Sequence, residues 1–469
     1  MSDSERLFFQ TALQERDQRI AQLEALLATA LARIADLEEK LRQTSLNSSK
    51  PPSQDPPNVA HKKKNPSGKK RGGQKGHQGH HRELLPPAKV TAVVPLFPKA
   101  CRRCKGPLVG HDPAPFRHQI VELPKIVPLV TEYQLHKLAC PDCLISTCAG
   151  LPKGVPTGNF GPRLSAFVGL MSGKYHISKR NGRELCADVM GIELSVGSYC
   201  NAEQTVSGAL KAPVAEAKLY AQKQAVVHGD ETSWRQGQRK AWLWVLYTSL
   251  VTVFQISLSR GTPSAQALLG KDFRGILVSD RWCAYQWVGV TRRQFCWSHL
   301  LREFEAMSER PSLGGICGKG LLAEGRKMFS WWHQVKEGKL SRANFVEKME
   351  SVEKEVKRLL ERGSACKGKT GGVCRNLLEY EKALWTYVRI EGVEPTNNAA
   401  ERVIRPAVLW RKGSYGTQSE AGSRFVERVL TAVTTLRQQG RNVLEYLTEA
   451  CEAVLKNQAA PSLLPQTPA

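Results

Sequence analysis

Apolar residues recur every seven positions near the start of the chain, at Leu13, Ile20, Leu27, Ile34 and Leu41. Leu23, Ala30 and Leu37 fill the second apolar position of the same repeat. Heptads unbroken by Gly or Pro predict a helix over residues 1–46 that pairs with a second copy as a coiled coil. A helix lying on the body of the protein is the competing reading. The run Asn47-Ser-Ser-Lys50-Pro-Pro52 ends it, and residues 47–98 carry no periodicity. Helical spacing returns over 160–222. Within it, an apolar helix from Leu185, a turn at Gly191 and a Ser195 N-cap predict a helix-turn-helix, a pattern that short helical hairpins also produce without binding anything.

From residue 225 the texture changes to β-branched and aromatic runs. Strands are predicted at 225–228, 241–248, 251–258, 275–279 and 294–297, the last leading into a helix at His299. Residues 303–390 read as a charged helical insertion. A helix starting after Pro395 carries Glu401, and a further one covers about 421–455.

Lys and Arg total 68 against 43 acids, a formal charge of +25, which favours a polyanionic partner through phosphate contacts. The charge is uneven: Lys62, Lys63, Lys64, Lys69, Lys70, Arg71 and Lys75 fall in a stretch without an acid, suited to a basic arm along DNA. A solvated tail is the alternative. Thirteen irregularly spaced cysteines and no signal-peptide pattern predict a reducing, cytoplasmic setting, and no apolar run reaches membrane-span length. Cys101-x-x-Cys104 and Cys140-x-x-Cys143 predict one four-thiolate structural zinc site, with His111, His118, His136 and Cys148 as substitute ligands.

Three acids stand out by context. Asp230 and Asp280 each follow an apolar run read as a buried strand, and an acid there is costly unless it is paired or holds a metal. Glu401 opens a helix beside Arg402, Arg405, Arg411 and Lys412, which are placed to grip phosphates. Such a trio of carboxylates suits two Mg2+ or Mn2+ ions and phosphodiester chemistry. Duller explanations exist for each. Asp230 can cap a turn, Asp280 can pair with Arg281, and Asn398-x-x-Glu401 has capping-box spacing. Glu231 is the rival of Asp230, and strand alternation points it to the opposite face.

The run Pro395-Thr-Asn-Asn-Ala-Ala-Glu401-Arg-x-x-Arg405, followed by Arg411-Lys412-Gly-Ser414, resembles the signature of the insertion-sequence "sixty-six" family of DDE transposases. Asp230-Glu-Thr, Ser279-Asp280-Arg-Trp-x-x-Tyr285 and Cys296-Trp-x-His299-x-x-Arg302 resemble its other blocks in order, with Ser298 and Leu301 departing from the pattern. Leu46-Asn-Ser-Ser-Lys50 and Gly72-Gly-Gln-x-Gly-His77 are similar to its linker. The resemblance implies a multidomain α/β protein with a ribonuclease H-like mixed-sheet core. It further implies catalytic, metal-holding Asp230, Asp280 and Glu401, double-stranded DNA as partner (element ends and target), and accessory proteins of the same element. A homodimer and nucleoid association are expected. The domain layout is then coiled coil 1–46, basic Pro/Gly-rich linker 47–98, zinc-finger-like module 99–150 and helical region 151–222. Beyond it lie the first part of the core 223–302, helical insertion 303–390, last part of the core with C-terminal helix 391–456, and tail 457–469.

Overall fold

The β-branched and aromatic runs do form a sheet. A computed structural model describes residues 3–48, 50, 55–56, 77, 83–310 and 312–465, so the seven basic residues of the expected arm, Lys62 to Lys75, lie outside the described residues. The chain divides into two units, Met1–Val59 with Val130–Ala469, and Ala60–Leu129. The smaller unit has mostly extended backbone, with a short 3-10 helix at Pro87–Lys89 and a turn after Cys101, and Leu85 is held by Gln119 and Arg117.

The larger unit opens on α1 (Asp3–Arg42) and a two-stranded ribbon, β1 (Lys137–Ala139) with β2 (Ser146–Cys148). Four helices follow: α2 (Pro162–Tyr175), α3 (Lys179–Met190), α4 (Val196–Ala209) and α5 (Lys211–Gln222). The α3–α4 turn is built as the sequence predicts. Gly191 takes a φ of 66° that a side chain would oppose, and the Ser195 hydroxyl accepts from Ser198 N at 3.0 Å.

The five-stranded sheet comprises β3 (Val226–Gln236), β4 (Arg239–Tyr247), β5 (Thr252–Ser257), β6 (Ile276–Ser279) and β7 (Arg293–Phe295), with α6 (Thr262–Leu269) between β5 and β6. Its order is β5-β4-β3-β6-β7; the β3–β4 and β4–β5 pairs are antiparallel, whereas β3–β6 and β6–β7 are parallel. Two expectations need correcting. The first strand continues eight residues past His228, because His228 through Gln236 pair with Tyr247 through Arg239, turning at Gly237 with φ 59°. Its polar stretch Asp-Glu-Thr-Ser, which resembles a turn, is paired strand. Helix α6 was not foreseen, although Gly261 and Pro263 are ordinary start signals.

After β7 come α7 (Trp297–Ser308), α8 (Ser312–Lys336), α9 (Arg342–Ser364), α10 (Gly368–Glu379), the short α11 (Thr386–Arg389), α12 (Asn398–Ser414), α13 (Glu420–Gln438) and α14 (Val443–Leu455). The helix expected over 421–455 is therefore two, broken where Gly440 takes φ 70° and Asn442 caps α14 through Leu444 N and Glu445 N. Apolar residues gather in one core around the sheet, α13 and α14, and another around α7 to α11.

Both sheet edges are closed by side chains. On β5, Thr435, Thr431 and Glu427 of α13 accept from the backbone N–H of Thr252 (3.1 Å), Phe254 (3.0 Å) and Ile256. Four helical residues rise about 6 Å and two strand residues about 6.8 Å, so one turn of helix keeps step with every second strand amide. On β7, Gln294 bonds Leu384 O and Tyr387 N, and Thr386 donates to Arg293 O at 2.6 Å. Edges so covered are withheld from pairing with another chain.

Near its C-terminal end helix α1 meets the body through Glu39 with Arg310 (2.7 Å) and Asp36 with Lys369 (3.1 Å). The heptad residues Leu13, Ile20, Leu27, Ile34 and Leu41 are exposed. Among the described residues, no helix is long and apolar enough to cross a membrane.

Thr431→Val keeps the shape of the side chain and strands the buried Phe254 N–H. Urea denaturation should show a loss of about 1–3 kcal/mol. An unchanged midpoint would mean that the α13 side chains do not carry the β5 edge.

Candidate active site

Parallel pairing sets the first two acids side by side. The β3–β6 ladder ends at His228↔Val278, two residues before Asp230 and Asp280 respectively, so the two aspartates lie level where the paired strands part. Asp230 accepts from Glu231 N at 2.9 Å, and Asp280 from Trp282 N at 2.9 Å. Gly229 before the first acid is needed for close packing: a Cβ there would meet Leu277 Cδ1 at 3.1 Å. Arg281 turns away to Asn376 and Glu303, so pairing with Asp280 is not what it does. Glu231 is sealed into a separate cluster, where Arg260 donates at 2.9 Å and Tyr285 OH at 2.8 Å. Alternation of faces has separated the rivals.

The third acid reaches this place through Asn397. This residue is buried at the start of α12; its Nδ2 donates to Gly229 O at 2.8 Å, its Oδ1 lies 3.2 Å from His228 Nδ1, and its N–H donates to Cys296 Sγ at 3.1 Å. Asn397 rather than Asn398 takes the N-cap position, and its side chain makes no cap bond, so the capping-box reading of Glu401 fails. The Glu401 carboxylate faces His299 Nδ1 at 3.5 Å and Arg302 at 3.8 Å. Further along, Arg411 donates to Ser233 O at 3.1 Å, Thr417 N to Arg235 O at 2.9 Å and Gly237 N to Thr417 O at 2.7 Å. Helix α12 and the loop after it are therefore splinted along β3. Gly416 fits there because a Cβ would strike Arg235 O at 2.4 Å.

Electrostatics marks the convergence. Burial, then the carboxylates of Glu231, Asp280 and Glu401, push the Asp230 carboxyl well above its ordinary value. Burial first, and Asp280 second, raise Glu231 to about 7. Burial lowers His299. Among the described residues, one group of three metal-type side chains closes to within 4.8 Å, namely Cys296, His299 and Glu401; the three acids interact without closing that far. A cavity of about 280 Å³ beside them is lined by Asp280, Trp282, Cys296, His299, Glu303 and Asn376.

Of the basic residues on α12, Arg402, Arg405 and Lys412 are exposed, whereas Arg411 is half-buried against β3. The two Cys-x-x-Cys turns are built alike. In the smaller unit Cys101 N donates to Gly106 O and Lys105 N to Cys101 O, with Lys105 at φ 62°. In the larger unit Cys140 N donates to Ile145 O and Leu144 N to Cys140 O, with Leu144 at φ 59°. Backbone N–H groups of Cys104 and Arg103 lower the Cys101 thiol, and those of Cys143 and Asp142 lower Cys140, which favours the thiolate form. Asn397 and the His228 contact were missed in the sequence, where the only signal was two adjacent Asn ahead of one helix.

Two outcomes follow. Asn397→Ala leaves Gly229 O buried without its donor and should cost about 1–3 kcal/mol in denaturation. The second concerns pH. A carboxyl raised in the folded state keeps a proton that the unfolded chain releases above about pH 4, so its contribution is full at low pH and is lost as pH rises. Asp230→Asn removes that loss. In chelator, its stability advantage over the parent protein should therefore grow between about pH 5 and pH 8, and a difference flat in pH would show that Asp230 titrates normally.

Residues 158–424 match the family model described as "Transposase IS66 family", and residues 8–83 match a family of unknown function, DUF6444. The chain is 26% identical over 243 residues to "Uncharacterized protein y4qI" of Sinorhizobium fredii, an alignment spanning 45% of this chain and 43% of that protein. The chain thus spans less than half the length of that relative. With the family model covering more than half of the sequence, from α2 through the Asp230, Asp280 and Glu401 blocks, the chain belongs to the IS66 family of transposases.

Proposed function

We propose that this chain is a DNA transposase that cuts and joins the ends of a mobile element, with Asp230, Asp280 and Glu401 as its catalytic acids. The observation that carries the reading is geometric: the β3–β6 ladder ends two residues before Asp230 and Asp280, and Asn397 ties the first turn of α12, which bears Glu401, to Gly229 beside Asp230. Sheet order β5-β4-β3-β6-β7, antiparallel on one side of β3 and parallel on the other, supports a ribonuclease H-like core.

The residues fit a pair of hard divalent cations. Carboxylate oxygens dominate the cluster, and burial together with the carboxylates of Glu231, Asp280 and Glu401 raises the Asp230 carboxyl, a setting that divalent cations would relieve. Two Mg2+ or Mn2+ ions held by the three acids supply charge stabilisation to the attacking and leaving oxygens. The chain's own part is positional. Asn397 and the β3 splint fix the acids, while exposed Arg402, Arg405 and Lys412 lie where a DNA backbone passes. In cutting, water oxygen attacks phosphorus and the element's 3′-hydroxyl leaves. In joining, that hydroxyl attacks a target phosphodiester and a target 3′-oxygen leaves.

The other parts take supporting roles. Each Cys turn, Cys101-x-x-Cys104 and Cys140-x-x-Cys143, offers thiolates for structural zinc, and the basic arm and the α3–α4 turn contact element DNA. Helix α1 joins two copies through its exposed heptads. Accessory proteins of the element and a cytoplasmic, nucleoid-associated setting belong to the same reading.

Asp230→Asn, Asp280→Asn and Glu401→Gln should each abolish Mg2+-dependent nicking and strand transfer on terminal-repeat DNA while retaining binding, which rests on basic side chains. Double variants should be no worse than single ones. Binding without any cleavage by the parent protein would favour a silent DNA-binding regulator, and preferential cleavage of RNA–DNA hybrid a ribonuclease. For self-association, Ile20→Lys with Leu27→Lys should shift light-scattering mass toward monomer; an unchanged mass removes α1 as the dimer element.

A further inference from the structure

The group formed by Cys296, His299 and Glu401 is not explained by three acids alone. Cys296 and His299 are three residues apart at the start of α7, spacing that sets both side chains on one face of a helical turn. Glu401 comes to them from the first turn of α12. His299 Nδ1 and Glu401 Oε1 are both sealed from solvent, both lack a hydrogen-bond partner, and lie 3.5 Å apart. Ligand atoms around a tetrahedral zinc-sized ion sit roughly 3.4–3.8 Å from one another, so this pair already has the span of an ion's edge. Cys296 Sγ lies within 4.8 Å of both, so a shift of about 1 Å at most closes the set. The Asn397 N–H donates to that sulfur at 3.1 Å, the kind of outer contact that orients a thiolate ligand.

We propose that Cys296, His299 and Glu401 form a cation site of mixed sulfur, nitrogen and oxygen character. A donor set of this kind selects a borderline divalent cation, Zn2+ or Co2+, over Mg2+. It differs in preference from the all-oxygen pair Asp230 and Asp280. Glu401 is shared between the two, and to that extent the inference rests on the transposase reading. A borderline ion seated here would fix the third acid before DNA arrives. The adjoining cavity beside Cys296 and His299 gives an ion its way in.

The test uses the full-length protein, stripped by chelator and titrated with Co2+. Thiolate-to-cobalt charge-transfer absorption and bound cobalt are compared with those of Cys296→Ser. The four cysteines of the zinc module are the same in both proteins, so their contribution cancels in the difference. The parent protein should hold about one more cobalt per chain and show extra charge-transfer intensity. His299→Gln should keep the sulfur signal but weaken cobalt binding at least roughly tenfold, and excess Mg2+ should not displace the ion. Equal stoichiometry and equal spectra in the parent protein and Cys296→Ser overturn the proposal and leave His299 as a packing residue. Should Cys296→Ser fail to fold, bound cobalt decides the test in the half-buried His299→Gln and Glu401→Gln: weaker binding than in the parent protein is expected, and equal binding overturns the proposal. Mg2+-dependent nicking is followed in parallel. Nicking without the cobalt difference overturns this site alone, and the cobalt difference without nicking overturns the transposase reading alone.

Discussion

Carboxylates gathered in a small volume repel one another, and the fold has to hold them together against that repulsion. The side chain of Asn397 does much of this. Its amide joins β3 beside the first acid, its ring contact is His228 on the same strand, and its backbone N–H reaches the sulfur that opens α7. One buried amide thus spans the strand of Asp230, the helix of His299 and the helix of Glu401. A buried amide bond is strong in such surroundings because the alternative is an unpaired polar group. The raised Asp230 carboxyl reflects that arrangement, burial first and the neighbouring carboxylates second.

The sheet supplies the rigid base. Its parallel β3–β6 pair sets Asp230 and Asp280 level where that ladder ends, while the antiparallel β3–β4 pair extends β3 far enough to lie along α12. Side chains of α13 and of the helical insertion close its two edges, so the platform is sealed on both flanks. The same device accounts for the burial of Glu427, which raises its carboxyl to about 7: it accepts from the β5 backbone at Ile256.

The central strands were legible because burial on both faces selects β-branched and aromatic runs, as in Ile276–Ser279. The helix-turn-helix geometry was legible because Gly191 and Ser195 are local signals. What stayed hidden is non-local. Asp230 sits within a strand rather than at its end because pairing with β4 outlasts pairing with β6, which no pattern within β3 reveals. Asn397 bonds residues 168 positions away in sequence, and its neighbour Asn398 carries the more obvious capping spacing. Arg411 lies among basic residues that read as a phosphate grip, yet its guanidinium is turned onto Ser233. Local chemistry singled out the candidate acids. Long-range pairing decided how they are held.

The splint between β3 and α12 has a consequence for the order in which the protein is made. Its bonds close a loop that contains β4 to β7 and the whole of α7 to α11, and closing so long a loop is slow and entropically costly. A nascent chain can therefore form the β3–β4 hairpin early, while its first two acids stay without their third until residues up to Thr417 have left the ribosome. Any chain ending before α12 carries the sheet's strands but not the helix that completes the site.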